Sequence, residues 1–334
     1  MPIRVAVIGA GSWGTTVAAL ASRNVPTLLW ARRPELADEI NRVHRNTEYL
    51  AAFELPEELG ATSSLEEAAT FADVLVMGVP SHGMRSTLSE IRGYVRPWVP
   101  VVSLAKGLEQ GTHLRMTQVV NEELPGHPVG ALTGPNLAQE ILAGNAAATV
   151  VAFTDGHIAA ELQRVFASEL FRVYTNDDVI GCEIGGALKN VFAIASGMAD
   201  GLGTGDNTRA AVITRGLAEL SRLGMAMGGQ LLTFAGLAGM GDLVATCISR
   251  QSRNRYVGEQ LGRGRAIDEI VAEMKMVAEG IKTSKVAVEV AEKFGVDMPI
   301  AQQVYQVIHQ GRKASDAYRG LLRRDAGAET RGMA

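Results

Sequence analysis

Val5-Ala6-Val7-Ile8-Gly9-Ala10-Gly11-Ser12-Trp13-Gly14 decides the fold: an apolar, β-favouring run enters three glycines, and a helical pattern continues to Arg23. Each glycine has its own reason to be there. Gly9 permits a tight turn, Gly11 lets backbone approach a pyrophosphate, and Gly14 lets the helix pack close against the strand. The helix N-terminus, at Ser12 and Trp13, offers free N–H groups and partial positive charge to phosphates. A bare Gly-x-Gly-x-x-Gly is weak, but a strand before it and a helix after it make it a dinucleotide fingerprint. A structural glycine turn in another α/β fold is the competing reading.

The second strand ends Leu29-Trp30-Ala31-Arg32-Arg33. Folds that select NAD usually carry an acid here for the ribose 2′-hydroxyl. This chain has no acid before Glu35, and Arg32 and Arg33 suit a 2′-phosphate. NADP(H) is therefore expected to be accepted and even preferred, unless the two arginines simply lie on the adenine or in solvent.

The pattern repeats outward from this start. Apolar strand runs are predicted at 3–8, 27–30, 74–79, 99–104, 129–133, 147–153 and 171–174, with helical patterns interposed. Continuous apolar strands alternating with helices predict a parallel sheet covered on both faces. The texture changes near Asp177. Helical periodicity then dominates, at 179–199, 208–223, 253–261, 267–273, 282–294 and 299–309. The expected class is α/β: a Rossmann-type doubly wound sheet at 1–177, then a mostly α-helical substrate and catalytic domain at 178–324. The small, polar residues 325–334 read as a disordered tail.

Bulk composition narrows the function. The chain has 334 residues, 47% hydrophobic and 20% charged, enough for two cored domains. A net charge of −4 gives no general attraction to nucleic acid or anionic membranes. The two cysteines, Cys182 and Cys247, make no disulfide framework, and no Cys/His cluster has metal spacing. No metal is expected, and a reducing cytoplasm fits. No signal peptide is read at the N-terminus. The apolar run 223–240 comes closest to a membrane span, but Gln230 and several glycines interrupt it.

Three later stretches point to a substrate. They are Ser103-Leu104-Ala105-Lys106-Gly107-Leu108-Glu109, Gly185-Gly186-Ala187-Leu188-Lys189-Asn190-Val191, and Gly239-Met240-Gly241-Asp242-Leu243-Val244-Ala245-Thr246-Cys247 running on to Gln251-Ser252-Arg253-Asn254-Arg255. With the glycine loop, this set resembles the NAD(P)-dependent glycerol-3-phosphate dehydrogenases, the bacterial ones above all. Phe171-Arg172-Val173-Tyr174, Ile213-Thr214-Arg215-Gly216-Leu217-Ala218-Glu219 and Asp297-Met298-Pro299-Ile300 extend the likeness over nearly the whole chain.

The resemblance implies interconversion of dihydroxyacetone phosphate and sn-glycerol 3-phosphate for phospholipid synthesis, with NAD(P)H or NAD(P)+ as cofactor. A homodimer is the expected assembly. Lys189 is out of character in a mostly apolar helical stretch. Alone it reads equally well as a snorkelling surface lysine or as a desolvated one of lowered pKa. The resemblance makes it the proton donor in reduction and acceptor in oxidation, with Lys106 as a second cation. Asp242 after glycines reads as a helix N-cap. By resemblance it also contacts substrate or orients Lys189, with Thr246 and Asn190 in support. Ser252, Arg253 and Asn254 make a phosphate site of hydroxyl, guanidinium and amide, and Arg253 also faces the cofactor.

Gly134 and Asn136 are expected to close over the substrate. Asn136-Leu137 departs from the Ser or Thr and aromatic pair common in relatives. Ala138, Val277 and Glu279 match positions along the cofactor. His82, His113 and His309 match no catalytic position and read as surface or cap residues. Two alternatives stay open: a two-domain Rossmann dehydrogenase for a hydroxy acid or ketopantoate, which needs a carboxylate site instead, and a non-catalytic NAD(P)H sensor, which needs no internal lysine.

Overall fold

The computed structural model describes residues 2–274 and 278–323. They form two compact units. The first takes residues up to Ala105 and then Leu114–Val179; the second takes Lys106–His113 and the chain from Ile180.

The first unit is built on eight strands: β1 (Val5–Ile8), β2 (Thr27–Trp30), β3 (Leu59–Thr62), β4 (Val74–Met77), β5 (Val101–Ser103), β6 (Val129–Thr133), β7 (Ala147–Ala152) and β8 (Phe171–Asn176). Their order across the sheet is β3-β2-β1-β4-β5-β6-β7-β8. Alternation of side chains sends Val5 and Val7 to one face and Ala6 and Ile8 to the other, all fully buried. On the first face they meet the helices Ser12–Ser22, Pro34–Val43 and Gly156–Phe166. On the second they meet Leu65–Phe71, Ser81–Ile91 and Met116–Glu123. Burial on both faces is why the strands read as unbroken apolar runs.

Two expectations need correction. Strand β3, Leu-Gly-Ala-Thr, was not foreseen: it is a short edge strand with a glycine, and its apolar signal is weak. The sheet is also not wholly parallel. Strand β7 pairs antiparallel with β6, and β8 then runs parallel to β7. The reversal follows from the path between Thr133 and Ala147, which holds only the short helix Ala138–Leu142. Parallel neighbours in this sheet are joined through longer helices, such as Ser12–Ser22 and Gly156–Phe166.

The second unit is helical. Its core is the helix Val179–Gly201, long and apolar enough to cross a membrane by composition, yet 94% of its most apolar window is buried within the protein. The helices Asp206–Ala226, Asp242–Ile248, Arg253–Gly262, Glu279–Phe294 and Pro299–His309 share its apolar core through Leu188, Phe192, Leu220, Leu243, Val257, Val290 and Val304. Leu108, from the excursion at 106–113, is buried in the same core.

Candidate active site

In the first unit, the glycine loop has the geometry its sequence implied. Gly9 has φ +121°, and a Cβ there would lie 2.8 Å from the Gly78 carbonyl carbon. A Cβ on Gly14 would lie 2.0 Å from the Gly9 carbonyl oxygen. Gly78, at the end of β4, completes this close packing; sequence reading passed over it, although a glycine between Met77 and Val79-Pro80 was a signal. Gly11 differs. Its φ of −70° suits any residue, and a Cβ there would meet no protein atom within 4 Å. Neither backbone nor packing requires a glycine at 11, which is the pattern expected where a ligand's phosphates come close.

No side chain caps the helix that begins at Ser12, so its first N–H groups remain available to an anion. Trp13 packs edge-on to Phe171, with ring centres 6.4 Å apart, and its indole N–H is buried with no hydrogen-bond partner among the described residues. Buried Asn46 braces the loop by donating to Ala10 O and Thr15 Oγ1, each at 2.9 Å. Its Oδ1 also caps the helix Thr47–Leu50 by accepting from Tyr49 N–H. These features fit a dinucleotide. Arg32 is exposed without an acidic partner among the described residues, whereas Arg33 is ion-paired with Glu48.

Gly134 and Asn136 follow β6 in the same unit. Gly134 has φ +143° and lies against Thr149. Asn136 Nδ2 donates to Thr149 Oγ1 at 2.9 Å, while Asn136 Oδ1 is buried without a partner among the described residues. Ala138 opens the helix Ala138–Leu142. Val277 lies outside the described residues.

In the second unit, two lysines converge on one carboxylate. Lys189 is 6% exposed and Asp242 1%. Asp242 Oδ2 accepts from Lys106 Nζ at 2.7 Å, and Oδ1 accepts from Lys189 Nζ. Lys189 also donates to Thr246 Oγ1 at 2.6 Å, and the Thr246 hydroxyl donates to Asp242 O at 2.6 Å. A buried charge survives only when paired and hydrogen-bonded, and Asp242 pairs with both ammonium groups. Burial, helped by the Lys106 charge and opposed by that of Asp242, lowers the Lys189 pKa to about 8.

Backbone contact makes this convergence possible. A π-helical turn, Leu237–Gly241, precedes Asp242, with Gly241 N–H donating to Gly236 O five residues back. A Cβ on Gly185 would lie 2.4 Å from Ala238 O. Lys189 and Asp242 each follow one of these touching residues by a helical turn. The N-cap reading of Asp242 is therefore corrected. Gly241 is at the cap position, Asp242 is the first helical residue, and its carboxylate binds lysines.

The segment Ser252-Arg253-Asn254 is tied to the same cluster. Ser252 Oγ accepts from Arg255 N–H at 3.2 Å and caps the helix Arg253–Gly262. Asn254 Nδ2 donates to Asn190 Oδ1, and Asn254 Oδ1 accepts from Gly280 N–H, both at 2.9 Å. Asn190 Nδ2 reaches the Lys106 carbonyl at 3.4 Å. Arg253 is exposed, and it and Glu279 act on each other by charge. Burial raises the Glu279 pKa, against Arg253, Lys106, Lys189 and Lys282. The histidines stay apart: His113 faces Glu289 at 2.8 Å, and His309 faces Ser284 and Ile281 O.

The profile for the N-terminus of NAD-dependent glycerol-3-phosphate dehydrogenase matches residues 4–159, and that for its C-terminus matches residues 178–319. This chain belongs to the glycerol-3-phosphate dehydrogenase family. A glycerol-3-phosphate dehydrogenase [NAD(P)+] of Sphingopyxis alaskensis is 57% identical to it over 98% of this chain and 99% of its own length. The enzyme of that name from Mycobacterium avium is also 57% identical, over 98% and 97%. A glycerol-3-phosphate dehydrogenase crystal structure from Coxiella burnetii superposes with a TM-score of 0.92 at 35% identity, covering 97% of this chain and 99% of its own. The glycine loop lies in the family's N-terminal half, and Lys189, Asp242 and Arg253 in its C-terminal half.

Proposed function

We propose that this protein reduces dihydroxyacetone phosphate reversibly to sn-glycerol 3-phosphate with NAD(P)H, supplying the backbone for phospholipid synthesis. The observation that carries the reading is the buried Lys189–Asp242–Lys106 cluster within a chain of this family. A hydroxy-acid dehydrogenase or a non-catalytic sensor has no comparable support.

When bound, the reduced nicotinamide supplies the hydride. Lys189 supplies the proton. Two of its three N–H bonds go to Asp242 and Thr246; the third is left for the substrate carbonyl oxygen. As the carbonyl carbon gains hydride, its oxygen gains negative charge, and Lys189 neutralises it by proton transfer. In oxidation the neutral amine takes the proton back. A pKa near 8 lets Lys189 serve in both directions close to neutral pH. Lys106 adds positive charge toward the substrate and is steadied by the same carboxylate.

Arg253, Ser252 and Asn254 receive the phosphate, with the guanidinium as principal donor. Gly134 and Asn136 close on the substrate, where Asn136 Oδ1, without a partner among the described residues, can accept from a hydroxyl. Gly9, Gly11, Ser12, Trp13 and Gly14 hold the pyrophosphate. Arg32, with Arg33, binds the 2′-phosphate of NADP(H). Ala138, Val277, Glu279, Lys106 and Arg253 complete the cofactor contacts. A homodimer in the cytoplasm completes the proposal; both cysteines are buried and unbridged, in line with a reducing compartment.

The test follows NAD(P)H absorbance with dihydroxyacetone phosphate. Wild type oxidises the cofactor, and Lys189→Ala binds it without turnover. Near-normal turnover by Lys189→Ala removes Lys189 from the mechanism.

A further inference from the structure

The helix bearing Ser252, Arg253 and Asn254 is fastened on its other side as well. Successive helical residues project about 100° apart, so Arg255 leaves the axis nearly opposite Arg253. Its Nε and terminal nitrogen reach Asp200 Oδ2 at 2.9 and 2.7 Å. Arg209 takes the other oxygen, Oδ1, at 2.9 and 2.8 Å. The Asp200 side chain is 8% exposed and that of Arg255 16%. Asp200 belongs to the helix that carries Lys189 and Asn190, about 16 Å along its axis from Lys189.

These two helices also touch backbone to backbone. A Cβ on Gly197 would lie 2.1 Å from Arg255 O, and one on Gly258 2.0 Å from Ile194 O. One on Gly201 would lie 2.2 Å from Glu259 O, and one on Gly262 2.4 Å from Met198 O. The glycines set how closely the helices approach, and the Asp200 ion pairs resist their separation. The Asn254–Asn190 hydrogen bond ties them again beside Lys189.

We propose that Asp200, acting through Arg255, is a positioning residue that fixes the span from the Lys189 ammonium to the Arg253 guanidinium. That span selects a three-carbon phosphorylated ketose over a longer one. The inference rests on the functional reading above. A substrate must present its carbonyl to Lys189 and its phosphate to Arg253 at once. Slack between the two loosens the hold on the phosphate in ground state and transition state alike, which raises KM more than it lowers kcat. Arg255 is two residues from Arg253 in the helix's first turn, so slack at Arg255 passes directly to the phosphate group.

The test compares wild type, Asp200→Asn and Arg255→Lys, the last keeping its charge but losing the second N–H to Asp200. We expect KM for dihydroxyacetone phosphate to rise about tenfold and competitive inhibition by inorganic phosphate to weaken equally, a change of about 1.4 kcal/mol in each affinity. We expect kcat to stay within about threefold, because the lysine cluster is untouched, and KM for NADPH to move less than KM for dihydroxyacetone phosphate, because the glycine loop keeps its share of the cofactor. Preference for dihydroxyacetone phosphate over a four-carbon 1-phospho-2-ketose falls. Unchanged KM and preference in folded Arg255→Lys overturn the proposal, as does a loss confined to kcat. If Asp200→Asn does not fold, Arg255→Lys decides. If wild type fails to oxidise NADPH with dihydroxyacetone phosphate, the functional reading falls instead. Equilibrium binding of inorganic phosphate then decides the positioning role: about tenfold weaker binding to Arg255→Lys upholds it, and equal binding overturns it.

Discussion

Replacing Asp242 by asparagine removes one charge and nearly no volume from the cluster. The carboxylate holds the Lys106 ammonium at 2.7 Å and Lys189 at its other oxygen. At about 3–4 Å and an effective dielectric constant near 20, a carboxylate favours an ammonium by roughly 4–5 kcal/mol. The amide oxygen of asparagine can still accept a hydrogen bond, which returns about 1–2 kcal/mol. The remaining deficit of roughly 3 kcal/mol corresponds to about two pKa units. Lys189, already lowered to about 8 by burial, then moves to roughly 6. At pH 7 its protonated share falls from about nine in ten to about one in ten, an order of magnitude in reduction before any loss of orientation. The assay is the pH profile of kcat/KM for dihydroxyacetone phosphate. In wild type, reduction declines as pH rises through about 8, and oxidation of glycerol 3-phosphate climbs over the same range. In Asp242→Asn both limbs move about two units toward acid. A reduction limb that stays near 8 while the rate drops would refute the argument, since Asp242 would then not set the proton affinity of Lys189.

Gly11→Ala should fold with unchanged thermal stability, because a Cβ there meets nothing. KM for NAD(P)H should nevertheless rise at least about tenfold, the cost of pushing a phosphate off its N–H donors; an unaltered KM would remove the loop from cofactor binding. Arg32→Ala should raise KM for NADPH about tenfold and leave NADH untouched, and equal effects on both would mean that Arg32 does not read the 2′-phosphate. Buried Glu219 accepts N–H bonds from Ile300 and Ala301 at the start of helix Pro299–His309. Burial lifts its pKa to about 7 against those bonds, above the ordinary value of 4.5. The folded state therefore holds this proton more tightly than the unfolded one, and its contribution to stability declines as pH rises between those values. Thermal melts across pH 4.5–7.5 should show a downward slope that Glu219→Gln flattens; parallel slopes would contradict the assignment.

What could be read in advance was what is local. Gly9 and Gly14 answer to constraints within a few residues or at the adjacent strand, so that part of the pattern carries its own explanation. Lys189 stood out because a charge in an apolar helix is anomalous wherever that helix lies. Asp242 is the opposite case. Read from its own neighbourhood, aspartate after glycines is a cap; the resemblance tied it to Lys189, and packing adds Lys106, 136 residues away. The π-helical turn that delivers it leaves no periodic trace in the sequence. Nothing in the neighbourhoods of Asp200 and Arg255 announces that each is the other's partner. The antiparallel β7 escaped because strand direction depends on the length of the return path, and apolar content is blind to it.

The excursion at 106–113 has a consequence for modularity. The chain leaves its first unit after Ala105, spends eight residues in the second, and returns at Leu114. One half of the gene therefore cannot encode one whole unit. A fragment beginning at residue 180 would lack Lys106 and the buried Leu108, leaving Asp242 with a single ammonium and the helical core with an unfilled space. Exchange of halves between relatives would join a Lys106 shaped by one lineage to an Asp242 shaped by another. The two units can be recombined only if those eight residues travel with the second, and that ties the inheritance of the cofactor half to that of the catalytic half.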